Sequence, residues 1–153
     1  GKSTTIYRSG TPAVALICSL SKALRLSLEN MNEKYNKVQE LNIYLKEKLK
    51  EYNNVFINSN ELSIPFILNI SVIGVKPETM LHALEKYEIY ISTQSACSAS
   101  SQVSKAVLSL TNDMNRANSS VRISIAHITT KEEIDFFLEK FKICYNELIS
   151  LKR

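Results

Sequence analysis

Apolar residues recur at steps of three and four between Pro12 and Tyr52: Leu16, Leu20, Leu24, Leu28, Met31, Tyr35, Val38, Leu41, Leu45 and Leu49. At 3.6 residues per turn such positions share one side of a helix, so the stretch predicts one long amphipathic helix over 12–52 with room for a single bend. Pro12 suits the first turn, where its absent N–H is no loss, and Asn53-Asn54 suits the end. A helix of that length often links two domains.

Beyond it the pattern shortens. Residues 55–57 are a short strand candidate, and 65–73 (PFILNISVI) a stronger one that stops at Gly74. Pro77 opens a helix running from about residue 78 to 87, and 88–92 reads as a strand. Residues 93–101 (TQSACSASS) are small and polar, the composition of a loop. A short helix over 102–110 and a polar loop over 111–119 follow. In 121–126 apolar residues alternate with Arg122 and Ser124, which is strand period. Thr130-x-x-Glu133 is a capping box, and Ile134, Phe137, Leu138, Phe141, Cys144, Tyr145 and Leu148 form the helical stripe behind it. The expected fold class is α+β, with helices layered on a small mixed or antiparallel sheet.

Composition narrows the function classes. With 153 residues, 44% hydrophobic and 22% charged, the chain has the makeup of one soluble globular domain. The net charge of +4 is spread out, with Lys46, Lys48 and Lys50 interleaved with Glu47 and Glu51, a solvated helix face rather than a nucleic-acid patch. Cys18, Cys97 and Cys144 lack metal-ligand spacing and are odd in number, which suggests neither a zinc site nor a disulfide framework. No apolar run is long enough to span a bilayer, and residues 1–11 lack a signal-peptide core, so a reducing cytoplasm is expected. A start at Gly rather than Met is expected of a piece of a longer protein. Cys18 and Cys144 lie on apolar helix stripes and are expected to be buried and inert, whereas Cys97 is expected to be solvent-accessible.

Four segments stand out: Arg8-Ser9-Gly10-Thr11; Pro65-Phe66-Ile67-Leu68-Asn69-Ile70-Ser71, which a buried strand explains and which bears on the fold only; Ser95-Ala96-Cys97-Ser98; and Ser119-Ser120-Val121-Arg122-Ile123-Ser124, followed by Thr129-Thr130-x-Glu132-Glu133-Ile134-Asp135. In this order and spacing they resemble the cysteine desulfurase (NifS-like) family of class V aminotransferase-like enzymes over essentially the whole chain. Phe66 stands where that family usually has asparagine, Gln94 where it has a glycine that eases loop motion, and His127, given no catalytic role, where it has Gly or Arg. Read alone, Arg-Ser-Gly-Thr is also a turn with an N-cap, and Arg122 a surface or edge residue.

The resemblance implies that residues 1–153 are the small C-terminal domain of a fold-type-I enzyme dependent on pyridoxal phosphate, with 12–52 as its linking helix. The cofactor-binding domain and its lysine would lie upstream, outside this chain. It implies that Cys97 takes sulfur from L-cysteine as a persulfide and releases L-alanine, a task that needs an exposed, deprotonatable thiol. By the same resemblance Arg122 grips the substrate α-carboxylate with its planar fork. Thr11, at a helix start suited to anions, approaches the cofactor phosphate of the neighbouring subunit in a homodimer. A sulfur-acceptor protein is the implied partner, in iron–sulfur cluster assembly or the thiolation of cofactors or tRNA. Direct nucleic-acid contact and a membrane are not implied. The isolated chain is expected to be inactive and not to hold pyridoxal phosphate tightly. A selenocysteine lyase, another class V aminotransferase and a non-catalytic docking module for a sulfur acceptor are the alternatives.

Overall fold

A computed structural model of the protein describes residues 10–93 and 103–150. The chain divides between Lys34 and Tyr35 into two compact units.

The first unit holds helix α1 (Val14–Leu28). Its leucine stripe forms as the spacing predicts, but none of its residues is buried; Leu16 and Leu20 are 72% and 71% exposed. The helix ends at Leu28: Glu29 leaves helical geometry with ψ 122°, and Asn30 then turns left-handed at φ 55°, a conformation that asparagine tolerates and a continuing α-helix does not. The stretch expected to be one helix over 12–52 is therefore two. The apolar steps run unbroken from Leu28 through Met31 to Tyr35, so spacing alone conceals the break.

Cys18 departs from expectation. It is exposed on α1, not a core residue, because a stripe marks a face suited to burial and α1 buries none of it. Cys144 meets expectation: it is 1% exposed, and burial pushes its thiol pKa up. A thiol reagent should therefore modify Cys18 rapidly in the folded chain and Cys144 only after denaturation. A slow Cys18, with mass mapping of the modified peptide as the measurement, would contradict the exposed α1 face.

The second unit contains α2 (Met31–Leu49) from Tyr35 onward, β1 (Val55–Ile57), β2 (Ile67–Val72), α3 (Pro77–Glu85), α4 (Lys105–Thr111), α5 (Met114–Asn118), β3 (Ser120–Ser124) and α6 (Lys131–Ser150). The strands form an antiparallel sheet in the order β1-β2-β3. Register pairs Val55 with Val72, Ile70 with Val121 and Leu68 with Ile123, which gathers these side chains on one face. Leu45 and Leu49 of α2, Met80 and Leu84 of α3, and Phe137 and Phe141 of α6 join them in one buried cluster. Tyr52 meets Phe141 and Tyr145 edge-on at 5.5 and 4.8 Å. Each such fully buried side chain contributes roughly 1.5–3 kcal/mol relative to exposure. Helices over a small antiparallel sheet are thus the observed fold.

The capping box of α6 forms in both directions: Glu133 N–H donates to Thr130 Oγ1 (3.2 Å), and Thr130 N–H donates to Glu133 Oε2 (2.8 Å). Two expectations change. Residues 88–92 do not make a strand: Glu88, at φ 59°, belongs to the turn that closes α3, with Ile89 N–H donating to Leu84 O (3.3 Å), and among the described pairings Ser92 alone of this stretch reaches the sheet, as a single bridge to Arg122. The loop expected over 111–119 holds α5. Left-handed Asn112 closes α4, and Asp113 Oδ1 then accepts from Asn115 N–H (2.8 Å) and Arg116 N–H (3.1 Å) to start the next helix.

Candidate active site

Strand period sends Val121 and Ile123 into the core and Arg122 and Ser124 to the other face of the sheet, where both are exposed. The backbone of Arg122 is used on one side only: its N–H donates to Ser92 O (2.7 Å), and its carbonyl accepts from Ser92 N–H (2.9 Å). On its other side lies Asn69, its register partner on β2. The backbone of Asn69 is turned toward β1 and the segment after it, donating to Ser59 Oγ (2.9 Å) and accepting from Asn58 N–H (2.9 Å). Asn69 and Arg122 are therefore a non-hydrogen-bonded antiparallel pair, the kind whose side chains approach most closely, with Cβ atoms about 4.5–5.5 Å apart. Ser92, Arg122 and Asn69 make a row of hydroxyl, guanidinium and amide across one sheet face. Among the described residues the Arg122 guanidinium has no ion pair and no side-chain hydrogen bond, so its charge is available to an anion.

A polar cluster adjoins this row. Arg116 of α5 reaches back under the sheet, its Nη2 donating to Ile57 O (2.8 Å) and Asn58 Oδ1 (2.6 Å), and its Nε to Asn58 Oδ1 (3.0 Å). Its guanidinium also lies 5.5 Å from the centre of the Phe56 ring. Asn58, 5% exposed, donates through Nδ2 to Asn69 Oδ1 and Ser71 Oγ, each at 2.7 Å. Ser71 Oγ donates in turn to the Arg116 carbonyl (2.7 Å). The buried side chains of Asn58 and Ser71 have both donors and acceptors engaged, which is what keeps buried polar groups from being a cost. An open cavity of about 200 Å³ lies beside it, between Asn69 and Ser104.

Of the expected site residues, Arg122 lies in the second unit and Thr11 in the first, while Cys97 lies outside the described residues. The residues that flank the Cys97 segment are tied down. Ser92 is bridged to Arg122, and Ser104 donates its N–H to Ala117 O (3.0 Å) just before β3 while its hydroxyl caps α4. Thr11 is exposed ahead of α1, whose N-cap Ala13 makes no side-chain cap and whose first turn carries no acid. Val14 N–H donates to Pro12 O (2.9 Å), and among the described residues no side chain caps this helix start, whose positive dipole end suits an anion. Ser92, Asn69, Asn58 and Arg116 were not singled out by the sequence. The one available signal was Asn69, a polar residue interrupting an apolar strand. No cluster of His, Cys, Asp or Glu among the described residues could hold a metal ion.

The aminotransferase class-V family matches residues 2–137. The chain belongs to that family. Its relatives include cysteine desulfurases: it is 34% identical to the cysteine desulfurase IscS of Proteus mirabilis over 148 residues, covering 94% of this chain and 36% of that protein. It is equally 34% identical to the IscS of Buchnera aphidicola, over 94% of this chain and 36% of that one. The solved structure of a NifS-like protein from Rickettsia africae superposes with a TM-score of 0.73 at 31% identity, covering 91% of this chain and 36% of the other. The chain thus spans little more than a third of the length of the curated relatives it matches.

Proposed function

We propose that this chain is the small C-terminal part of a pyridoxal-phosphate-dependent cysteine desulfurase, and that it supplies the sulfur-carrying thiol and the carboxylate clamp of the active site. The observation that carries this reading is the Ser92–Arg122 bridge. It ties one end of the segment bearing Ser95-Ala96-Cys97-Ser98 to an exposed arginine whose guanidinium has no ion pair among the described residues. A thiol held on that segment and a guanidinium at its base suit a substrate with sulfur at one end and carboxylate at the other.

Arg122 would take the α-carboxylate of L-cysteine through two parallel charge-assisted hydrogen bonds and so fix which way the sulfur points. Thr11 and the first N–H groups of α1 would hold the cofactor phosphate of a neighbouring subunit, which makes a homodimer the working form. Bound pyridoxal phosphate supplies an electron sink that makes the substrate C–S bond breakable. The Cys97 thiolate attacks the substrate sulfur: an S–S bond forms, the C–S bond breaks, its electron pair stays with carbon, and a proton added there completes alanine. The Cys97 persulfide then passes to an acceptor protein for iron–sulfur cluster assembly or thiolation in the cytoplasm. The lysine that holds the cofactor belongs to the rest of the protein, so this chain alone is inactive.

Full-length protein supplied with L-cysteine should release alanine and, with a thiol reductant, sulfide in equal amounts. Turnover of selenocysteine with no alanine from cysteine would overturn the substrate assignment in favour of a selenocysteine lyase.

A further inference from the structure

We propose that Asn69 is a second donor to the substrate carboxylate, its amide group aimed beside Arg122 by Asn58 and Arg116; this rests on the reading of Arg122 as the carboxylate clamp. The orientation follows from hydrogen-bond logic. A guanidinium only donates, so the Asn58 side-chain atom facing Arg116 must be its oxygen. The other end of Asn58 is then an NH2 group, which requires the Asn69 atom facing it to be the carbonyl oxygen. The Asn69 NH2 is thereby turned away from the cluster, and it has no hydrogen-bond partner among the described residues.

Register puts that free donor on the same sheet face as Arg122, in the closest kind of cross-strand pair. The Arg122 fork can engage both oxygens of a carboxylate and still leave lone pairs open. A donor held in a fixed direction at Asn69 can take one of these, which a long arginine side chain with no other described restraint does not do by itself. Asn69 is half-buried and held through Asn58, so it adds direction at little entropic cost, whereas Arg122 adds charge. Arg116 and Asn58 are positioning residues, acting through Asn69.

The test compares half-saturating concentrations of L-cysteine and of cysteamine, which lacks the carboxylate, read from the cofactor absorbance of the full-length holoenzyme. Asn69→Asp keeps the oxygen that Asn58 donates to and exchanges the free NH2 for an anionic oxygen. It should raise the L-cysteine value at least about tenfold and leave cysteamine within twofold. Asn69→Ala, which removes the donor without adding charge, should give the same separation with a smaller rise of about fivefold, so a folding defect in one variant does not decide the matter. Equal effects on the two ligands, or no effect on either, while Arg122→Ala abolishes the discrimination would overturn the role of Asn69 and leave the clamp standing. Unchanged discrimination in Arg122→Ala would overturn the clamp itself, and this proposal with it.

Discussion

Cys97→Ser in the full-length holoenzyme should cut persulfide and sulfide production by about a thousandfold or more, the scale on which removal of a nucleophile usually falls. A free thiol is a few per cent thiolate at neutral pH and intrinsically strong as a nucleophile, whereas a serine hydroxyl stays protonated and has no route to a persulfide. Substrate recognition is left intact by the change, because the proposed carboxylate contacts lie on β2 and β3. L-cysteine should therefore still perturb the cofactor spectrum of the variant at close to the normal concentration. Cys18→Ser and Cys144→Ser are the controls. Cys144 is shut in the core with its thiol pKa pushed up by burial, and neither residue belongs to the proposed chemistry, so both variants should keep production within about twofold. Full desulfurase activity in Cys97→Ser would remove the central claim.

How far the fold could be read from the chain depends on how local each signal is. The start of α6 was legible because a capping box is closed within four residues, and both of its hydrogen bonds form. The parity of Arg122 was legible for the same reason: alternation along β3 decides which side chains face the core. The break at Glu29 and Asn30 was not, since two non-helical residues leave the steps of three and four in the sequence undisturbed. Nor was α5, a polar single turn held by the Asp113 cap rather than by an apolar stripe. Cys18 was misjudged because periodicity identifies a face without saying whether anything covers it. The row of Ser92, Arg122 and Asn69 comes from pairings between segments distant in sequence, and no one of those segments carries its register in its own residues. Arg116 is the same case: in the sequence it is one basic residue in a polar stretch, and only the fold brings it to Asn58.

Arg122→Ala should fail differently from Cys97→Ser, and the contrast tests the assignment of roles. The loss of a charge-assisted bidentate pair weakens L-cysteine binding by on the order of 2–3 kcal/mol, which is about a 30- to 150-fold rise in the half-saturating concentration. Arg122→Lys should recover only part of this, because an ammonium restores the charge but not the planar fork that grips both oxygens. The fold should survive either change: Arg122 is exposed, its bonds to Ser92 are made by backbone atoms that any residue keeps, and no described partner loses an ion pair. Thermal unfolding of the two variants should accordingly stay close to that of the parent. At saturating cysteine much of the persulfide-forming capacity should return, since Cys97 is untouched, whereas no concentration of substrate rescues Cys97→Ser. An Arg122→Ala enzyme with unchanged apparent affinity for cysteine would withdraw the carboxylate assignment and leave Arg122 as a solvent-facing strand residue.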